Sequence, residues 1–267
     1  MAAAPGRGDT PVTAGATRAR GAARAGAARA GAARAGATRA GGGRRRASHS
    51  LEAVIGEAVA LLDEAGEPAL TFRALAARLG GGVASIYWYV ANKDELLDRA
   101  TDHVLAGVLV DTEDFAGSPD PIDDLRAIAV SLFGTIVERP WLAAYFMRDT
   151  ATQPNGLLLY ERMGQQVLRL GLTPRQSFHA VSAVLGFVIG IAADLGQQPP
   201  QEVLDGKVTR DDFLARYAAE WRALDPAAYP FLHVVVDEFA DHDDADQFRA
   251  GLDLLLAGLR LQAQTPD

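Results

Sequence analysis

The stretch Leu70–Leu97, LTFRALAARLGGGVASIYWYVANKDELL, decides the reading of this chain. Thr71 is a suitable N-cap, because its hydroxyl can accept an orphan amide proton of the turn that follows. Phe72, Leu75, Ala76 and Leu79 then recur at helical spacing and define one buried face. Gly80 ends that helix, since glycine takes a left-handed C-cap without a Cβ penalty. A second, short helix is expected over roughly 83–89, with Val83, Ile86 and Val90 inward. Asn92 caps a third helix, with Glu95 three residues on as in a capping box. Its apolar stripe is Leu97, Ala100, Val104 and Val108.

Upstream, Leu51, Val54, Ile55, Ala58, Leu62 and Ala65 mark an amphipathic helix that stops near Gly66. Together these segments predict a compact three-helix unit and a long connecting helix. In a helix-turn-helix of this layout the second motif helix enters the DNA major groove, N-terminal end first.

The residues Leu61–Gly66 (LLDEAG), Leu70–Arg73 (LTFR), Leu75–Gly80 (LAARLG), Ser85–Val90 (SIYWYV) and Asn92–Leu97 (NKDELL) together resemble the tetracycline-repressor (TetR) family of bacterial transcription regulators. The resemblance covers roughly 48–108 and implies a role for each matching position. Thr71 and Arg73 start the first motif helix, where Arg73 can reach a base edge or a phosphate. Ser85 is a short hydroxyl on the reading face. Tyr87, Trp88 and Tyr89 contact phosphates and brace the helix. Lys93 makes a phosphate contact beside the free amides of a helix start. Trp88 and Ile86 also read as core residues, and Arg73 and Lys93 as solvated charges. Gly80–Gly82 followed by Val83 and Ala84 departs from the family. Neither Val83 nor Ala84 can hydrogen-bond a base, so direct readout falls on Arg73 and Ser85.

Beyond Asp111 the pattern is again helical, so the fold class is all-α, with a C-terminal helical ligand-binding and dimerisation domain over 120–264. Expected helices start at Asp120-Pro121 (Leu125, Ile128, Ala129, Leu132, Phe133 and Ile136 inward) and at Pro140. Others cover about 156–170 and, from Thr173-Pro174, the apolar run to Leu195. A loop over 196–207 precedes helices at about 209–224, 230–240 and 244–262. Phe248–Leu259 (FRAGLDLLLAGL) resembles the C-terminal half of one TetR branch. The resemblance implies a homodimer built from a four-helix interface, here 174–195 and 244–262. Each of these helices carries more apolar surface than one core needs. Two-fold pairing would set two reading helices about one DNA turn apart on a palindromic double-stranded operator.

Pocket candidates for a small-molecule effector, of unidentified chemistry, are Phe133, Trp141, Tyr145, Met147, Met163, Phe178, His179, Phe187 and Trp221. Each reads equally as core. His103 and His179 read as ordinary helix histidines. Asp241–Asp244 (DHDD) reads as a solvated turn rather than a metal site, and no cofactor is expected.

The first 47 residues differ from the rest. GAARA units repeat from Gly21 to Gly41, followed by Arg44–Arg46, giving ten arginines and one aspartate in a chain of net charge −8. Glycine every fifth residue and the near absence of apolar content to bury predict a disordered tail. It reads either as an arm that tracks phosphates or enters a minor groove, or as a by-product of repetitive GC-rich coding or a mis-assigned start codon. With no cysteine and no apolar run of the roughly 20 residues a bilayer needs, a reducing cytoplasm at the nucleoid is expected, without membrane association. The function expected is a ligand-released repressor. A DNA-compacting protein driven by the tail is the alternative, and an enzyme is disfavoured because no histidine stands beside a nucleophile or metal motif.

Overall fold

The computed structural model describes residues 49–115, 117–146, 153–197 and 199–264. The arginine-rich tail and Met147 lie outside the described residues. Among the described residues the fold is all-α: α1 (Leu51–Ala69), α2 (Phe72–Arg78), α3 (Val83–Ile86), α4 (Lys93–Asp111), α5 (Pro121–Glu138), α6 (Trp141–Phe146), α7 (Pro154–Arg169), α8 (Pro174–Leu195), α9 (Gln201–Leu204), α10 (Arg210–Arg222), α11 (Pro230–Ala240) and α12 (Asp244–Gln264), with a 3₁₀ turn at Glu113–Phe115.

Two hydrophobic clusters organise these helices. In the smaller one, Val54, Ile55, Ala58, Leu62, Leu75, Ile86 and Val90 pack against Leu96, Leu97 and Ala100 of α4. The larger gathers Leu105, Val108 and Leu109 of α4 with α5, α7, α8 and α12. α4 therefore serves both. Its first half belongs to the reading head and its second half to the body. That dual role explains why Leu96, Leu105 and Leu109 are buried although the single expected stripe omitted them, while Val104 is only half-buried.

Several local expectations need correction. The second motif helix is one turn long, Val83–Ile86, not seven residues. Tyr87 is its C-cap, and the amides of Tyr89 and Val90 both return to the Ile86 carbonyl. With the helix cut short, Val83 loses the inward register and is 37% exposed. α1 is interrupted where its end was expected, at Gly66 (φ 69°, ψ −177°), but a further turn carries it to Ala69. Leu51 and Ala65 are exposed and Leu61 takes a core position instead. The expected loop 196–207 contains the single turn α9.

In the body, all six inward residues expected on α5 are buried. α8 opens with a full capping box, Thr173 and Gln176 exchanging side-chain and backbone hydrogen bonds. Phe248 of α12 is sandwiched between Phe133 (centroids 3.7 Å apart) and Phe187 (5.6 Å), which stacks α5, α12 and α8 together. Gly251 makes room for this, because a Cβ there would lie 2.5 Å from the Phe187 ring.

Candidate nucleic-acid interface

Each element of the reading head is held by a side chain whose type the fold requires. Thr71 Oγ1 accepts from the Ala74 amide at 3.1 Å and starts α2. Gly80 takes φ 69°, reversing the chain without the strain a Cβ would bring. The Ser85 hydroxyl donates to the Gly82 carbonyl at 2.5 Å. It therefore stiffens the turn before α3 and keeps its lone pairs for an incoming donor. Asn92 Oδ1 accepts from Glu95 N at 2.8 Å, and Glu95 reaches back to Ala91 N at 2.7 Å, one residue beyond the expected partner.

The aromatic triplet separates by environment. Trp88 is 87% exposed and Tyr87 is 59% exposed, with Tyr87 edge-on to Phe72 at 4.8 Å. Tyr89 is half-buried, and its hydroxyl donates to the His49 carbonyl. Tyr87 and Trp88 are thus presented outward beside α3, whereas Tyr89 ties the chain entering α1 to the end of the motif. Arg73 stands exposed in the first turn of α2, in no ion pair among the described residues.

The other cations of the head are engaged by its own acids. Arg78 pairs with Glu57 and, bidentately at 2.7 and 2.8 Å, with Glu64. The guanidinium holds the Glu64 carboxyl below its usual range. Lys93 Nζ lies 3.0 Å from the Glu67 carbonyl and 3.2 Å from its carboxylate. Arg99 bridges to Glu95 at 2.9 Å, and the Ala91 amide together with Arg99 lowers the pKa of Glu95.

The effector candidates scatter. Phe133, Met163 and Phe187 lie in the body core. Tyr145 is buried in the head cluster, and Trp141 packs against both clusters. Phe178 (61% exposed) and His179 lie on the outer surface of α8. Trp221 stacks on Phe239 at 4.2 Å and lines a cavity of about 350 Å³ with Val235 and His242. In the Asp241–Asp244 turn, Asp244 is held by Arg210 at 3.0 Å and Asp243 caps Asp246 N.

Sequence reasoning missed the residues that join head to body. Asp63 of α1 accepts from Trp141 Nε1 at 2.7 Å and from Arg139 at 3.3 Å. Asp102 of α4 accepts the amides of Asn155 and Gly156 at 2.8 and 3.1 Å, capping α7 from another helix. Within the body itself, Asp124, fully buried, pairs with Arg169 at 2.8 Å. These partners stand 45 to 78 positions apart, beyond the reach of helical periodicity.

Residues 54–100 match the model described as bacterial regulatory proteins, tetR family, and residues 117–263 match the tetracyclin repressor-like C-terminal domain. An HTH-type transcriptional regulator of Saccharopolyspora erythraea is 32% identical over 139 residues, covering 52% of this chain but only 58% of that relative. The HTH-type transcriptional repressor DrrR1 of Streptomyces coeruleorubidus is 27% identical over 79% of this chain and 77% of its own. The solved structure of the TetR family protein ActR of Streptomyces coelicolor in complex with actinorhodin superposes with a TM-score of 0.69 at 25% identity, covering 80% of this chain and 96% of that one. The chain belongs to the TetR family of bacterial DNA-binding transcriptional regulators.

Proposed function

We propose that this chain is a homodimeric repressor that reads a palindromic operator and releases it when a small molecule binds the body. The head is assigned to 48–108 and the effector and dimerisation body to 120–264. In the head, Thr71, Arg73, Ser85, Tyr87 and Trp88 face the duplex, with Arg73 the base-reading cation. Lys93 reaches a phosphate only by sharing its ammonium with Glu67.

The observation that carries the dimer is the surface of α8. This 22-residue helix is apolar and long enough, by composition, to cross a membrane, yet only a third of its most apolar stretch is buried. Phe178 is exposed, and beyond the helix's own adjoining backbone no atom of the described residues lies within 4 Å of a Cβ built on Gly186 or Gly190. Leu254 (77% exposed) and Leu261 (66%) continue the apolar surface on α12, beside a groove of about 550 Å³ lined by Ala183, Leu255 and Gly258. Such a surface needs cover, and a second copy supplies it by pairing small residues closely with the partner's helices.

Release follows if the ligand favours the arrangement of heads that does not fit the operator. DrrR1 is named a repressor and ActR is seen with actinorhodin, and both support this reading. The effector would enter among α5, α7 and α8, near Phe133, Met163 and Phe187. Selection of fragments from random DNA by the purified chain, with mass measured by light scattering, tests the proposal. A palindromic site bound by a dimer is expected, and Leu254→Glu should yield monomer. Unselective enrichment, or a wild-type monomer bound to DNA, counts against it.

A further inference from the structure

The turn that leads into α3 carries no side chain able to hydrogen-bond a base. Gly80, Gly81 and Gly82 have none at all, and Val83 and Ala84 are apolar. Ser85 is the first polar residue of the helix, and its hydroxyl proton is already given to the Gly82 carbonyl at 2.5 Å. What remains to it is its lone pairs, which accept and do not donate. The major-groove edge of a purine presents N7 as an acceptor, and guanine adds O6. The end of α3 that enters the groove first therefore has no donor of its own to meet them.

A donor stands beside it, brought by another element. His49 precedes Ser50, the N-cap of α1, and is half-buried. Its Nε2 lies 3.2 Å from the position of a Cβ on Gly81, and Ser85 Oγ lies 3.1 Å from the same point. The imidazole thus takes the space beside Gly81 that a side chain there would fill, next to the Ser85 hydroxyl. Gly81 itself is exposed, so a duplex approaching the turn meets the ring and the hydroxyl together. The backbone that carries the ring is fixed. The His49 carbonyl accepts from the Tyr89 hydroxyl, and Ser50 Oγ accepts from Ala53 N at 3.0 Å. Little backbone freedom is left to lose on binding, which is the advantage of a preorganised contact.

We propose that His49 is a base-reading residue, whose Nε2–H donates to an acceptor on the major-groove edge of a purine beside the acceptor offered by Ser85. It supplies from the start of α1 the polar side chain that the glycine turn lacks. Neutral imidazole carries one N–H donor, so the bond needs no net charge on the ring. Gly81 is the complement of this arrangement, since a larger residue there would press on the ring. This inference deepens the reading of α3 as the element that faces DNA, and rests on it.

The test uses the full-length chain with His49→Ala, His49→Gln and Gly81→Ala. Urea midpoints of the His49 variants should match the wild type, because the Tyr89 bond is made to the main chain of residue 49. Binding is measured by fluorescence anisotropy on the duplex selected by the wild-type chain and on an unrelated duplex. His49→Ala should bind the selected duplex roughly three- to tenfold more weakly, as expected for one hydrogen bond, and leave the unrelated duplex unchanged. Repeated selection should show preference relaxed at one position. His49→Gln, whose amide nitrogen can stand in for Nε2, should recover much of both. Gly81→Ala should weaken the wild type and have less effect in the His49→Ala chain, the coupling expected of residues in contact. An equal loss on both duplexes would make His49 a phosphate or packing residue and overturns the inference, as does wild-type affinity and preference in His49→Ala. Either result leaves the repressor reading intact. A wild-type chain that selects no sequence overturns the reading of α3 as well.

Discussion

Trp141 donates its indole N–H to the Asp63 carboxylate at 2.7 Å, and this bond crosses from the body to the reading head. Arg139 approaches the same carboxylate at 3.3 Å, and Tyr145, one turn along α6, is buried among head residues. α6 is therefore the joint between the two clusters. Asp63→Ala removes a partially exposed charged acceptor. It should cost about 1 kcal/mol, below the roughly 1.5–3 kcal/mol typical of hydrogen bonds to charged groups, because Asp63 and Arg139 remain partly solvated. Hydrogen exchange should rise in α1 and α6 and stay unchanged in α8. A uniform rise along the chain would mean that the bond stabilises the whole fold and not the joint.

Gly251→Ala places a Cβ 2.5 Å from the Phe187 ring, inside the Phe133–Phe248–Phe187 stack. Overpacking of this kind costs about 1–3 kcal/mol. Denaturant unfolding should show that loss, and Phe187→Leu in the same chain should recover part of it. Simple addition of the two single-variant losses would contradict the packing of Gly251 against Phe187.

Acid should loosen the head through Glu95. The Ala91 amide and then Arg99 lower its pKa, so its folded value lies below its unfolded one. A depressed carboxyl contributes stability above the unfolded pKa, near about 4.3, and loses it as pH falls through the folded value. Urea midpoints should be flat in this component from about pH 7 to 5 and fall below about pH 4. Glu95→Gln should lower the midpoint at neutral pH and weaken the decline in acid. An unchanged acid limb would assign the decline to the other lowered carboxyls, including Glu64 and Asp120.

Arg73→Ala and Lys93→Ala should differ in kind. Arg73 is unpaired among the described residues and open to a base edge, so its loss should cost about 1–3 kcal/mol of operator binding and relax sequence preference at one position. Lys93 is already shared with Glu67. Its removal should weaken all duplexes alike and by less, and it should also destabilise the head by loosening α1 from α4. Competition binding with operator variants distinguishes the two patterns.

The helix-turn-helix was legible because its signals are local. The Thr71 cap, the positive-φ Gly80, the Asn92 cap and the buried Leu75 and Ile86 all depend on neighbours within a few residues. The same locality made Phe133 and its companions on α5 readable as a buried face. It failed at α3, where the pull of Tyr89 towards His49 and the burial of Val90 end the helix after one turn. Helical periodicity has no means of registering a tether 40 positions away.

The sequence by itself determined that the chain beyond its first 47 residues is helical, that residues near 70–97 form a helix-turn-helix motif, and that those first 47 residues are the arginine-rich part of an otherwise acidic chain. Only the tertiary structure decided which basic side chains among the described residues are held in ion pairs, because pairs such as Arg78–Glu64 depend on helices brought together in space. Tertiary packing likewise divided the aromatic residues. Tyr145 and Trp141 went to the joint, Phe133 and Phe187 to the core, and Phe178 to the surface. The physical reason is that hydrophobicity and helical period specify that a side chain will be buried, while the partner that buries it is set by the packing of helices distant in the chain.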